Sequence, residues 1–167
     1  MDLTTTPTVD DATKLDDFTR TRDALRGSAP AIVAGMPVLD WGDLDAFEVS
    51  TSEITLRKGF GAPGVEIDGA LLSLLAGVGG SVFLEVVARR QPGTANATAT
   101  IDLYNVTAGA QVAGSAVAIS ITSDAEASQK SGALTLAASV AKYRIRIKTS
   151  NAATPVAARV RLVIKGA

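Results

Sequence analysis

The stretch Lys142–Lys148, KYRIRIK, alternates basic and apolar side chains at every step. A strand turns successive side chains to opposite faces, so Tyr143, Ile145 and Ile147 share one side and Lys142, Arg144, Arg146 and Lys148 the other. A helix would scatter the same residues around its circumference, which leaves a half-buried strand as the reading. Arg159–Lys165, RVRLVIK, repeats the pattern, with Val160, Leu162 and Ile164 facing inward opposite Arg159, Arg161 and Lys165. Upstream, Ala99, Ile101 and Leu103 oppose Thr100, Asp102 and Tyr104 in the same way. One-faced strands of this kind need a second apolar layer, which another sheet about 10 Å away supplies.

On either side of this pattern, strands are predicted at Phe47–Leu56, Val82–Arg90, Thr98–Asn105, Ala116–Thr122, Ala133–Ala137, Lys142–Lys148 and Arg159–Lys165. Gln91-Pro92-Gly93, Thr107-Ala108-Gly109 and Ser150–Pro155 separate them as turns or loops. Gly64–Gly77 fits either a buried strand pair or a short helix. Seven or eight short strands joined by loops predict an all-β fold, an antiparallel β-sandwich of the jelly-roll kind, over residues 46–167.

Residues 1–45 read differently, as an N-terminal arm, one short amphipathic helix and a linker. Residues 1–9 have nothing with which to build a core. Residues 10–26 carry helix signals: Asp10, Asp11, Asp16 and Asp17 early, Arg20, Arg22 and Arg26 late, and Gly27 at the position after the end. The apolar stripe is narrow (Leu15, Phe18 and Leu25), so the helix is marginal alone. It either packs on its own domain, docks or self-associates, or stays a disordered arm. Residues 28–45 hold two prolines and a Gly42 bend and read as an extended linker. Trp41, the single tryptophan, is expected to anchor that linker to the sandwich or to a neighbour through its large apolar area.

Charge is divided along the chain. All seventeen acidic residues lie at or before Glu126, while the last 41 residues carry eight Lys/Arg and no acid. The net charge of -1 conceals this split. If the last two strands are neighbours, Lys142, Arg144, Arg146, Lys148, Arg159 and Arg161 form one basic face, and like charges opposite one another destabilise a sheet. Counterions, acids of an adjacent subunit (Asp10, Asp11, Asp16 and Asp17 are the densest cluster) or nucleic acid would relieve it. Pairing between subunits is the preferred expectation. Nucleic acid is disfavoured because Tyr143, the aromatic within these strands, falls in the core phase and leaves no stacking platform.

Composition narrows the chemistry. The chain has no Cys and no His, so disulfides, zinc-thiolate sites, cysteine nucleophiles and Ser-His-Asp hydrolysis are excluded. Glu48, Glu53, Glu66, Asp68 and Glu85 offer carboxylates, but no pair stands out for glycoside hydrolysis. Asp40, Asp43 and Asp45 lack the spacing of a calcium loop, so no metal or cofactor is expected. Asn96-Ala-Thr98 and Asn105-Val-Thr107 match the glycosylation pattern. Met1-Asp2-Leu3 opens an acidic stretch unlike a secretory signal, and the most apolar window, Gly69–Leu84, is shorter than the roughly 20 residues of a membrane span. A soluble protein is expected, with no membrane partner.

The segments FLEVVARRQPGTANATATIDLYNVTAGAQVAGS, SGALTL, KYRIRIKTS and VRLVIKG, within Val82–Lys165, resemble the jelly-roll modules of bacteriophage virion proteins. A Leu-Tyr-Asn step leads through a Gly turn to Val-Ala-Gly-Ser, a small SGALTL strand follows, and two strands close the module. The resemblance implies a non-enzymatic structural part of the virion: a capsid decoration, a fibre protein or a tail component. The implied partners are further copies of the chain, a trimer being expected, and capsid or tail proteins. Leu15, Phe18, Leu25 and Trp41 would then be apolar docking anchors steered by the acidic cluster. The alternative is a carbohydrate-binding or adhesion module, which needs exposed aromatics in a chain that has seven in all.

Overall fold

The structure, a computed structural model, describes residues 36–59, 61–76 and 81–165. The predicted arm, the helix at 10–26 and the residues Asp10, Asp11, Leu15, Asp16, Asp17, Phe18 and Leu25 lie outside the described residues. In chain order the elements are β1 (Met36–Gly42), β2 (Ile54–Thr55), β3 (Glu66–Asp68), α1 (Ala70–Ala76), β4 (Ser81–Arg90), β5 (Ala97–Asn105), β6 (Ala110–Gln111), β7 (Val117–Ile121), β8 (Ala127–Lys130), β9 (Lys142–Thr149) and β10 (Val156–Lys165).

Two antiparallel sheets result. The first runs β1-β10-β4-β8. In the second, β9 has β5 on one side and the short strands β2 and β3 on the other, and β5 carries β6 and β7 along its far edge. The pairs β1·β10, β2 and β3 with β9, β4·β8 and β5·β7 nest inside one another like a single long hairpin. Winding that hairpin into two layers is the jelly roll, so the predicted sandwich is present.

Between the sheets, alternate side chains form one core. Tyr143, Leu84, Ile101, Leu103, Ile145, Leu162 and Ile164 are fully enclosed there, and α1 adds Leu72 and Leu75. Each such side chain contributes about 1.5–3 kcal/mol through its removal from water. The ambiguous Gly64–Gly77 stretch resolves into both alternatives, a strand (β3) followed by a helix (α1).

Three expectations change. Residues 36–42, read as part of a linker outside the sandwich, are β1, a full edge strand with Leu39 and Trp41 turned inward. Pro37 is tolerated there because an edge strand needs only half its donors, and the ladder shifts register between Pro37 and Leu39. Gly42 ends the strand with φ +85, where a Cβ would lie 2.2 Å from the Ala158 carbonyl oxygen, a position only glycine fills at ease.

Phe47–Leu56 is not one strand. Glu48 bridges to Val156 of the first sheet, Ser50 accepts from the Thr149 amide, and only Ile54–Thr55 ladder onto β9. The segment crosses from one sheet to the other. Ala133–Ala137, which overlaps SGALTL, is likewise not a strand, and the partner of β4 is Ala127–Lys130. Past that point, the Leu134 amide donates to Val82 while the Thr135 amide turns to Ala113, so no continuous ladder forms. Leu134 and Leu136 still pack against the core.

Candidate interaction surfaces

The two closing strands are not neighbours: β9 belongs to the second sheet and β10 to the first. The expected basic face is therefore split between opposite sides of the sandwich. Strand alternation does place Lys142, Arg144, Arg146 and Lys148 on the polar side of one sheet, and Arg159 and Arg161 on the polar side of the other. Each group meets acids of its own chain, because the nested pairing lays the acidic first strands against the basic last ones. Among the described residues these bases therefore meet acids within the chain itself, and the acidic cluster expected to pair between subunits, Asp10, Asp11, Asp16 and Asp17, lies outside them.

On the second sheet, Arg146 and Asp102 are directly opposite across β9 and β5. Arg146 Nε donates to Asp102 Oδ1 at 2.8 Å and Nη2 to Oδ2 at 2.7 Å, while Nη1 reaches Glu53 Oε2 at 2.5 Å. Lys148 Nζ shares Glu53 through Oε1 at 3.3 Å. The Asp102 hydrogen bonds raise the Arg146 pKa above its ordinary value, against the opposing effect of desolvation, and the charges of Asp102 and Glu53 add to the rise. Tyr104 completes the group, its ring centroid 4.1 Å from the Arg146 guanidinium carbon and 5.0 Å from that of Arg144. Both distances are within cation–π range. Arg144 faces Glu66 of β3 in register, and its Nε is buried without a hydrogen-bond acceptor.

Across the first sheet a charged row follows the register. Lys130 pairs with Glu85 at 3.6 Å, Glu85 lies opposite Arg161, and Arg161 lies opposite Asp40. Asp40 Oδ2 is 3.4 Å from Arg159 Nε and 3.5 Å from Arg161 Nε, one carboxylate between two guanidiniums. At one end of the sheet, Arg89 pairs with Asp45, donates through Nε to the Leu44 carbonyl at 2.9 Å, and lies over the Phe47 ring. Arg57–Glu48 and Arg90–Asp124 complete the pattern of early acids and partnered bases.

Trp41, expected to anchor its segment to the sandwich or to a neighbour, is 6% exposed and belongs to the core of the sandwich, so it is not a docking anchor. Its neighbours Asp40 and Asp45 are committed to arginines, and Asp43 Oδ1 accepts from the Asp45 amide, which closes the turn. Among the described residues no cluster of three or more His, Cys, Asp or Glu is placed to hold a metal ion. Asn96 accepts a hydrogen bond from Arg90, and Asn105 from the Ala108 amide. A shallow recess of about 390 Å³ opens between Glu66, Ile67, Thr107, Val140, Ala141 and Lys142. No described helix is long and apolar enough to cross a membrane. The internal ion-pair partners escaped sequence reading because they depend on which strands wrap around each other. Tyr104 had one legible signal, its place in the same phase as Asp102.

No family model matches this chain, and no curated protein matches it. Among solved structures it is similar to the CBM22-1 xylan-binding domain from Paenibacillus barcinonensis Xyn10C, with 10% identity over 82% of this chain and 99% of that one, at a TM-score of 0.46. It is also similar to a chain in the structure of infectious bursal disease virus Gx strain, with 12% identity over 81% of this chain and 32% of that one, at a TM-score of 0.30. The chain thus spans about a third of that viral chain's length. Neither likeness assigns a role to a residue here.

Proposed function

We propose that the chain is a non-enzymatic structural component of a bacteriophage particle, of the capsid-decoration or fibre type, attached through its N-terminal extension. The observation that carries this reading is the nested jelly roll, whose strand positions are all filled by residues 36–165. In this reading attachment is made by residues 1–35, which carry the acidic cluster and the anchors Leu15, Phe18 and Leu25. The phage-like segments all fall within the sandwich, and its described carboxylates are largely committed. Glu48, Glu53, Glu85 and Asp102 are ion-paired, which supports a packing unit over a hydrolase.

The adhesion alternative requires an aromatic face open to a sugar ring. Among the described aromatics, Trp41 and Tyr143 are in the core, guanidiniums stack on Phe47 and Tyr104, and Phe83 is half-buried. That arrangement favours the structural reading. The test is co-purification of the full chain with phage particles through a density gradient, beside a variant lacking residues 1–27. The full chain is expected to travel with the particles, and the truncated chain to remain folded and unattached. A full chain that never associates with particles, or that gives reproducible hits on a glycan array, overturns the proposal.

A further inference from the structure

A two-sheet sandwich has exposed lateral edges, and an unpaired edge strand is a template for another chain. Three edges here carry recognisable protection. β1 has Pro37, a register shift and Asp40. β8 ends in Lys130 and follows Asp124 and Glu126. The edge beside β9 is broken into the two- and three-residue strands β2 and β3, with Arg57 and Lys58 between them.

β7 has none of these devices. From Val106 to Ser123 the chain holds no Asp, Glu, Lys, Arg or Pro. β7 ladders onto β5 along one side and onto no other described strand. Val117, Ile119 and Ile121 are buried in the core, whereas Ala116, Ala118, Ser120 and Thr122 are exposed and small.

We infer that the β7 edge is a self-association surface, pairing antiparallel with β7 of a second copy to continue the second sheet across a two-fold axis. The occupant follows from the pattern. A two-fold axis through Ile119 sets Val117 opposite Ile121 and Ala118 opposite Ser120 of the other copy. Small outward residues then meet small ones and no charge faces a like charge, while Val117, Ile119 and Ile121 stay enclosed in their own core. A five-residue strand buries little area, so the contact is weak in isolation and gains strength when copies are already held close together. The inference deepens the structural reading above by naming a copy-to-copy contact, and it is separable from the N-terminal attachment.

The test is sedimentation velocity of the full chain over a wide concentration range, with two outward-face double variants. Thr98 and Thr100 are the β5 residues opposite Ser120 and Ala118, so the new side chains meet no charge directly across within their own sheet. Ala118→Lys with Ser120→Lys would oppose lysines across the axis and raise the dimer dissociation constant at least about tenfold. Ala118→Lys with Ser120→Glu would oppose opposite charges and restore association, most strongly at low salt. Circular dichroism should show all three chains equally folded, and the β7 amides of the unmodified chain should gain exchange protection as concentration rises. Association unchanged by the paired lysines, or no association at any concentration, overturns the inference. Removal of residues 1–27 separates the two readings. Self-association that survives the deletion while particle attachment is lost supports the edge contact; self-association lost with those residues overturns it and leaves N-terminal attachment standing.

Discussion

Asp102 and Arg146 face each other across β5 and β9, joined by two parallel hydrogen bonds of 2.8 and 2.7 Å, with only 7% and 13% of their side chains exposed. Little water remains to solvate either group if the other is removed. Asp102→Ala is therefore expected to cost about 1.5–3 kcal/mol, because Arg146 loses two charge-assisted hydrogen bonds in a nearly closed site but keeps Glu53. Replacing the pair together, Asp102→Leu with Arg146→Met, should cost less than the single change, because neither buried charge is left behind and the more exposed Glu53 keeps Lys148. Urea unfolding followed by Trp41 fluorescence measures both. The raised Arg146 pKa contributes stability that is fully present below the ordinary arginine value and lost only as pH rises through the raised one. The contribution should therefore be flat across neutral pH.

Asp40 between Arg159 and Arg161 makes a useful contrast, since its side chain is 41% exposed. Asp40→Ala should cost less than about 1 kcal/mol, as surface ion pairs do. The loss should shrink further as salt shortens the screening length to about 3 Å near 1 M. Melting curves at low and high salt should show this dependence for Asp40→Ala and far less of it for Asp102→Ala. Equal salt dependence in the two variants would contradict the assigned difference in burial.

Alternation made the middle and end of the fold legible. Val82–Arg90, Thr98–Asn105 and Lys142–Lys148 return nearly residue for residue as β4, β5 and β9, because each has one apolar and one polar face. β1 was hidden because Pro37 and Gly42 are loop signals, and only the sheet edge makes them acceptable. The segments 47–56 and 133–137 have strand composition but divide their hydrogen bonds between partners far apart in sequence. For the same reason the surface chemistry was half legible: the periodicity of Arg159 and Arg161 shows a polar face, whereas their meeting with Asp40 needs the first strand to close on the last.

Trp41 reports on that closure. Its place in the core predicts blue-shifted emission and poor quenching by acrylamide in the native chain, with a red shift on unfolding. Trp41→Ala should destabilise the sandwich by about 3–5 kcal/mol, unlike a surface docking residue, whose loss would spare stability. A native spectrum already red-shifted and readily quenched would remove β1 from the fold.

Ser115 tests the turn that launches β7. It is fully buried, its hydroxyl donating to the Val112 carbonyl at 2.7 Å and accepting from the Leu103 amide at 3.2 Å. Ser115→Ala strips both partners without changing the shape of the site, and a buried polar group left unmatched costs about 1–3 kcal/mol. The loss should be concentrated locally, because Ser115 ties the residues just before Val117 to β5. Native-state hydrogen exchange should therefore show faster opening at Val117–Ile121 while Leu84 and Val160, deep in the first sheet, keep protection closer to that of the unmodified chain. Uniform acceleration across both sheets would mean that the jelly roll opens as one unit, and that the β7 edge has no separate stability for a second copy to reinforce.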